Sequence, residues 1–475
     1  MSRKTLDVKE ATFVSIGGGL GSFAIVDRLR LGGVPRSEIK IISPSRHPHQ
    51  NFLDTCTASG MTPGSRLRSD SSSRMDNIWG FPGYAVTEAL TQRSIRPLLQ
   101  TLGEPVLNDP YTPTLGHFTD TIDREAKRVG WSAMVALGRA TRISVLADGR
   151  YRVLVRDRNR PPLAIDCTHL HLALGSTGPS LTAEAETYRS STNPGHIVHA
   201  YEPHEQVYKE LAANGGHVLV RGSGIAASWI LQRLIESREQ SGQPIRIWHL
   251  TRTQALPAAT RRGRASDGFG FRYQPYSYPK AAFSGQMLDQ TQALEETERI
   301  ALLKKLGRTS IPHRTPWLQK LRRAREEGWY DQVTGEVQEF VPADGKISAR
   351  IAMAKGPRLF LDVDHVIDAT GRNSTALTHP LLTDLISEGL VNSNPLGCLR
   401  VDQNFIVQGR RGRGLIFASG MITRGAPLGP VDSFFGIQSA ALNIADVLAG
   451  EGLGERLTPL SSLIQWLKWM EGKRL

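Results

Sequence analysis

Eight residues near the amino terminus, Ser15-Ile16-Gly17-Gly18-Gly19-Leu20-Gly21-Ser22, constrain this chain more than any other stretch. The apolar run Thr12 to Ile16 leads in, and the apolar-spaced segment Phe23 to Leu31 leads out to a stop at Gly32-Gly33. The pattern is strand, glycine turn, helix. Gly17 permits the tight turn, Gly19 leaves backbone bare for a pyrophosphate, and Ser22 is small enough for close helix–strand packing. The helix that follows offers free N–H donors and the positive end of its dipole. A start of this kind points to an α/β chain built on a parallel sheet.

The next strand, Lys40-Ile41-Ile42-Ser43, ends in Ser43, where dinucleotide folds usually carry an acid for a ribose hydroxyl. A serine can hydrogen-bond the same group. About two hundred residues on, the pattern returns. His217 to Arg221 reads as a strand and Gly222-Ser223-Gly224-Ile225-Ala226-Ala227 as G-x-G-x-x-A, with Ser228 behind it. Trp229, Ile230, Leu231, Leu234 and Ile235 supply the apolar positions of a helix. The strand after that, Ile245 to Leu250, ends in Thr251-Arg252, and an arginine there suits a 2′-phosphate, so NADPH is expected over NADH. Leu172-Ala173-Leu174-Gly175 and Val366-Ile367-Asp368-Ala369-Thr370-Gly371 are strand-to-glycine endings on either side of this middle block. They suggest one domain interrupted by another. A third ending, Phe417-Ala418-Ser419-Gly420, follows.

A chain of 475 residues exceeds what one hydrophobic core usually serves, so two or more domains are expected. Apolar content of 40% with 46 glycines and 27 prolines fits a loop-rich globular chain and not a disordered one. The three cysteines, Cys56, Cys167 and Cys398, have no paired spacing. Neither a disulfide framework nor a metal site is expected, and a reducing cytoplasm is the natural location. No signal peptide is expected, and no uncharged apolar run is long enough to span a bilayer. The net charge of +13 suits a solvated surface first, an anionic cofactor or substrate second and nucleic acid third. The arginine knots Arg261-Arg262-Gly263-Arg264 and Arg410-Arg411-Gly412-Arg413 do not interleave with aromatics, and no nucleic acid is expected.

Between these landmarks, Arg66 to Arg74 is polar and serine-rich, and Asp76 to Tyr84 sets Trp, Phe and Tyr among Gly and Pro. That loop either folds over a ligand or is a surface loop anchored by its aromatics. Helical spacing covers Thr87 to Leu102 and Leu115 to Val129, the latter with Thr114 as cap and Gly130 as stop. Asp148-Gly149 marks a hairpin between Ala140–Leu146 and Tyr151–Arg156. Gly263 to Phe283, rich in Gly, Tyr and Phe, either borders a cavity or packs as a loop. Ala293 to Leu306 and Arg314 to Glu327 read as helices, Leu399 to Val407 as a strand and Asp432 to Leu448 as a closing helix. Leu463 to Met470 is amphipathic and reads as a helix docked on the protein in preference to a membrane anchor.

With two glycine turns in strand–helix settings, the chain resembles the two-dinucleotide flavoproteins. The order of its blocks resembles the class B flavoprotein monooxygenases, particularly the amino-acid N-hydroxylating branch. Gly195-His196-Ile197-Val198-His199-Ala200, Leu250-Thr251-Arg252, Ala369-Thr370-Gly371 and Phe417-Ala418-Ser419-Gly420 carry that resemblance. Three positions depart from the pattern: Ser43 replaces the acid, Arg372 follows Gly371 in place of a tyrosine, and Met421 follows Gly420 in place of an aspartate. The resemblance implies two Rossmann-like domains, with the NADPH domain (214–355, including a helical insertion) set inside an FAD domain (1–213 and 356–475). It implies FAD near Gly17 and NADPH near Gly222, their reactive rings meeting at the junction. The implied cofactor-binding positions are Gly17, Gly19, Leu20, Gly21, Ser22, Ser43, Gly175, Gly222, Ser223, Gly224, Ile225, Ala226, Ser228, Arg252, Thr370, Gly371 and Gly420.

In that family the chemistry is the cofactor's: NADPH reduces FAD, and molecular oxygen gives one atom to a small amine or thioether. The protein orients the rings and excludes water. An anionic substrate suits the positive surface, and a homo-oligomer is compatible with all of this. Spacing assigns no catalytic residue. Arg74, Asn77, Trp79, Tyr273 and Tyr276 are the candidates to face the cavity. Three alternatives stay open. Cys56 lies where single-cysteine flavoprotein peroxidases keep a redox thiol, although a buried structural cysteine is the plainer reading. A plain NADPH-dependent reductase and a non-catalytic nucleotide-binding sensor are the others.

Overall fold

The computed structural model describes residues 6–67, 80–103, 111–176, 178–191, 195–252, 286–306, 315–372, 375–429 and 431–475. Their strands form two sheets. The first contains β1 (Asp7–Ile16), β2 (Ile39–Ser43), β3 (Val135–Leu137), β4 (Arg139–Val145), β5 (Tyr151–Asp157) and β6 (Arg160–Leu172) in the order β3-β2-β1-β6-β5-β4. The late strand β14 (Ile416–Ala418) also pairs with β6. β1 runs parallel to both β2 and β6, with Ile16 level with Ile42 and with Leu172. Ala418 of β14 is level with Leu172 as well. Four parallel strands therefore finish side by side, and the residues that follow the aligned Ile16, Ile42, Leu172 and Ala418 are Gly17, Ser43, Ala173 and Ser419.

The second sheet repeats this plan. It contains β7 (Ile197–His199), β8 (Gly216–Arg221), β9 (Ile245–Thr251), β10 (Tyr330–Ala343), β11 (Lys346–Met353), β12 (Leu359–Val363) and β13 (His365–Asp368), in the order β12-β11-β10-β9-β8-β13-β7. Arg221 is level with Leu250 and Asp368, and Asp368 with His199, so four ends again align. Burial follows the pleat. Val218 and Val220 of β8 face one core with Ile230, Leu234 and Trp317, while Leu219 faces another with Val333, Val363 and Val366. Parallel strands covered on both sides need apolar residues on both faces, which is why β8 reads as an unbroken hydrophobic run.

The fold is thus two doubly wound α/β units, the second inserted in the first, as the sequence implied. Its limits differ from those expected. The strands of the second sheet extend from Ile197 to Asp368, beyond both ends of the 214–355 segment, because three-residue β7 and four-residue β13 join it by hydrogen bonding and are too short to show a period. The ending at Thr370-Gly371 accordingly belongs to the second sheet, and β14 with Gly420 is the return to the first.

Other elements match or correct the sequence reading. The helix Leu115–Val129 begins where the Thr114 side chain accepts from the His117 N–H and stops at Gly130 in a left-handed conformation (φ 74°). The hairpin at Asp148-Gly149 joins β4 and β5. Thr87 to Leu102 is not one helix but two, Phe81–Gln92 and Arg96–Leu102, parted at Arg93 (φ 50°). Pro97 has no N–H to give to the carbonyl four residues back, and its ring collides with that carbonyl. Leu399 to Val407 folds back on itself, Val401 pairing with Val407, because the Asp402 carboxylate accepts from the N–H groups of Asn404 and Ile406 and closes a turn. The terminal helix Pro459–Met470 docks through buried Trp466 and Trp469, and Arg28 of the first turn's helix donates to its Ser462. Among the described residues no helix is long and apolar enough to cross a membrane.

Candidate functional site

Both glycine turns form at aligned strand ends, and they are built alike. The Gly17 N–H donates to the Ile42 carbonyl (2.9 Å), and the Gly222 N–H donates to the Leu250 carbonyl (2.9 Å). Gly17 has φ +100° and Gly222 φ +122°, conformations that side-chain-bearing residues avoid. A Cβ on Gly17 would lie 2.2 Å from the Ala173 carbonyl oxygen; one on Gly222 would lie 2.3 Å from that of Ala369. Each turn is therefore pressed against the strand end beside it, and only glycine fits.

Two residues on, the geometry opens. Gly19 and Gly224 are the N-caps of the helices Leu20–Leu31 and Ile225–Ser241 and have ordinary extended backbones. A Cβ at either would meet nothing within 4 Å. No side chain caps either helix, and neither has an acid in its first turn. Two uncapped, acid-free helix amino termini facing open space, each behind a bare glycine, suit a pyrophosphate on chemical grounds. The residues present fit two dinucleotides, one at each turn.

The sixth position of each turn is closed by a small buried residue, Ser22 or Ala227. Ser22 donates to the Gly17 carbonyl and accepts from Ser15 Oγ (2.7 Å). Ser228 donates to the Ile225 carbonyl (3.0 Å). Leu20, Ala226 and Ser228 are buried, Ile225 is half-buried, and Ser223 is exposed on the turn itself. Around the first turn, Gly175 (φ +68°) and Gly420 (φ +79°) both leave open space, and Gly21 lies against the Ser419 hydroxyl. Ser43 is buried beside Gly18, and its hydroxyl accepts from the Ser45 N–H (3.1 Å). At the second turn Arg252 is exposed just past β9, and Thr370 and Gly371 follow β13. The structure thus gathers Gly17, Gly19, Leu20, Gly21, Ser22, Ser43, Gly175 and Gly420 at one place and Gly222, Ser223, Gly224, Ile225, Ala226, Ser228, Arg252, Thr370 and Gly371 at another. Arg74, Asn77, Trp79, Tyr273 and Tyr276 lie outside the described residues.

Three buried histidines brace these ends, and sequence spacing does not single them out. His171 sits between Ser15 (Nδ1···Oγ 2.8 Å) and Ser419 (Nε2···Oγ 2.9 Å), joining β6, β1 and the segment after β14. His249 joins the Gly222 carbonyl (Nε2···O 2.7 Å) to the Tyr330 hydroxyl (2.9 Å). His199 Nε2 reaches the Gly371 carbonyl (2.8 Å). Burial pushes His171 down to about 3 and His249 down to about 4, so both rings are neutral at pH 7. The signal in the sequence was each histidine's place between two apolar residues, within three residues of its strand's end.

Cys56 is buried on the helix Gln50–Ala58, and its thiol is pushed up to about 12 by burial, against a smaller pull from Arg372. A thiol protonated at pH 7 is the wrong form for peroxide chemistry. Among the described residues no group of three His, Cys, Asp or Glu side chains is arranged to hold a metal ion.

Two doubly wound units, one inserted in the other and each with an open glycine turn, make up a fold that this chain shares with solved amine-oxygenating enzymes. The ornithine N-hydroxylase of Kutzneria sp. 744, solved with reduced FAD, NADP+ and L-ornithine, shares it over 93% of this chain and 100% of that one (14% identity, TM-score 0.67). The ornithine hydroxylase of Pseudomonas aeruginosa does so over 93% and 99% (16% identity, TM-score 0.66), and the FAD-bound cadaverine monooxygenase of Erwinia amylovora over 94% and 96% (14% identity, TM-score 0.66). No protein-family model matches the sequence, and no curated protein matches it. At such identities the likeness is one of fold.

Proposed function

We propose that this protein is an FAD-dependent, NADPH-consuming monooxygenase that passes one atom of molecular oxygen to the nitrogen of a small amine. The observation that carries this reading is the duplication of the site: two glycine turns, each wedged at the end of a parallel strand and open two residues on, in one chain. A single nucleotide would need only one. The three solved structures compared above are named for ornithine and cadaverine, which supports an amine in preference to a thioether.

On this reading the Gly17–Ser22 turn holds the FAD pyrophosphate on the N–H groups that begin the helix Leu20–Leu31. The Gly222–Ala227 turn holds the NADPH pyrophosphate in the same way at Ile225. Arg252, exposed beyond β9, pairs with the 2′-phosphate. Ser419 and Gly420, brought beside Gly21 by β14, line the first nucleotide. His171 and His249 are neutral braces that fix the turns and do not exchange protons. Bound FAD supplies the two-electron reduction by NADPH and the delivery of oxygen. The inserted unit is taken as the sheet spanning 197–368, and three buried free thiols suit a reducing compartment.

The test is the visible spectrum of the purified protein before and after anaerobic NADPH, with NADH in parallel. A flavin band that NADPH bleaches faster than NADH is the expected result, followed in air by oxygen uptake that rises with an added amine. A colourless protein overturns the proposal. Oxygen uptake indifferent to every amine, with normal bleaching, leaves a reductase.

A further inference from the structure

We propose that Arg372 receives an oxyanion of a small molecule bound at the junction of the two units, an inference that rests on the two-nucleotide reading above. The chain crosses between the units twice, and the crossings meet: Pro179, after β6, forms an isolated antiparallel bridge with Arg372, after β13. Around that bridge Gly175, Gly178 and Gly371 all have left-handed backbone (φ +68°, +125° and +127°) with open space where a Cβ would lie. Bare backbone thus surrounds the one side chain that projects from the bridge with a charge.

That charge is held in place but not neutralised. The Arg372 guanidinium lies 4.0 Å over the Tyr201 ring and donates through Nη2 to the Thr55 hydroxyl of the first unit. Its Nε is buried without a hydrogen-bond partner, and among the described residues it makes no ion pair with a carboxylate. Arg221, at the neighbouring strand end, shows the usual arrangement: it is paired with Glu184 (2.6 Å) and Asp368 (3.5 Å). Partial burial holds Arg372 below the ordinary arginine range, the cost of a cation partly removed from water without an anion in return. Stacking on an aromatic ring fixes the guanidinium plane and leaves its edge donors for a planar acceptor, and a carboxylate or a phosphate matches that edge.

Two sources could bring the oxyanion. Gly371 and the Gly222 turn share one strand end, since Ala369 is the residue against which Gly222 packs, so a phosphate of the second nucleotide is within the same crevice. A substrate entering from the first unit, past Thr55, would bring a carboxylate instead.

The experiment uses Arg372→Gln and Arg372→Lys in the full chain, with the unfolding midpoint as the control for folding. Dissociation constants are measured by calorimetry for NADP+, for inorganic pyrophosphate, and for L-ornithine against cadaverine, which lacks a carboxylate. Losing one charged hydrogen bond corresponds to about a tenfold rise in Kd. A rise of that size for NADP+ and pyrophosphate in Arg372→Gln, with most of the affinity kept by Arg372→Lys, assigns the phosphate. A rise for L-ornithine alone, with cadaverine unaffected, assigns the carboxylate. Unchanged affinities for all four probes overturn the inference while a retained flavin leaves the proposed function standing. A wild-type protein that binds neither nucleotide, yet loses pyrophosphate affinity on substitution, would instead sink the function and keep Arg372 as an oxyanion site.

Discussion

The two glycine turns obey one local rule and sit in different surroundings. Each has a positive-φ glycine jammed against a neighbouring carbonyl, at 2.2 and 2.3 Å from a hypothetical Cβ, and each opens two residues on, at Gly19 and Gly224. Around the first, Gly18 and Gly19 are half-buried; around the second, Ser223 and Gly224 are exposed. The first is also tied across β1, β6 and the segment after β14 through His171, whereas His249 ties the second to Tyr330 of its own sheet. Local geometry therefore says that a diphosphate fits, and the surroundings say how readily it leaves. On the proposed reading a covered site keeps its cofactor and an exposed site exchanges its nucleotide at every turnover.

The largest effect should come where both turns are wedged. Gly17→Ala and Gly222→Ala each combine a left-handed backbone with a collision against a carbonyl, and each should lower unfolding free energy by on the order of 3 kcal/mol in a urea titration. If either variant keeps wild-type stability, the wedge is not what holds that turn. Next come the open positions. Gly19→Val and Gly224→Val have room and ordinary φ, so the unfolding midpoint should stay put while binding fails. A loss of about 2 kcal/mol, roughly 30-fold in Kd, is expected for FAD alone in the first and for NADP+ alone in the second. Loss of both ligands in either variant would break the assignment of one nucleotide to each turn.

A smaller effect should separate the two nucleotides. Arg252→Ala should weaken NADPH by about tenfold and leave NADH and FAD unchanged, as judged by anaerobic reduction rates against concentration. Equal weakening of NADPH and NADH would remove Arg252 from the 2′-phosphate. The last effect is one of pH, small per unit of pH and spread over several units. His171 and His249 have folded-state values near 3 and 4, below the 6.5 of a free histidine, so the unfolded chain binds their protons first. Their contribution is complete above about pH 6.5 and is lost as pH falls toward 4 and then 3, at about 1.4 kcal/mol per pH unit for each ring. Replacing His171 by Asn should flatten the acid limb of the stability profile; an unaltered limb would mean that this ring is not buried neutral.

Much of this architecture could be read from the residues, and the failures have physical causes. The two turns, the Thr114–Gly130 helix and the Asp148-Gly149 hairpin are local: cap, stop and turn residues carry them within a few positions. The hairpin of β10 and β11 was equally legible, since Asp344-Gly345 (φ 44° and 77°) is the same kind of turn, although the sequence reading assigned no element between Glu327 and Val366. The assignment of Thr370-Gly371 was not legible. Which sheet a four-residue strand joins depends on partners 147 residues away, as Asp368 opposite Arg221 shows. The bracing histidines failed for a related reason: their partners, Ser419 for His171 and Tyr330 for His249, come from distant strands and leave no spacing behind.

The Pro179–Arg372 bridge also has a mechanical meaning. Two chain segments running in opposite directions and fastened to each other form a short ribbon, which is stiff against stretching but can wind about its own length. The two crossings between the lobes are thereby fastened to each other at one point. A disulfide engineered across that ribbon should leave each lobe folded.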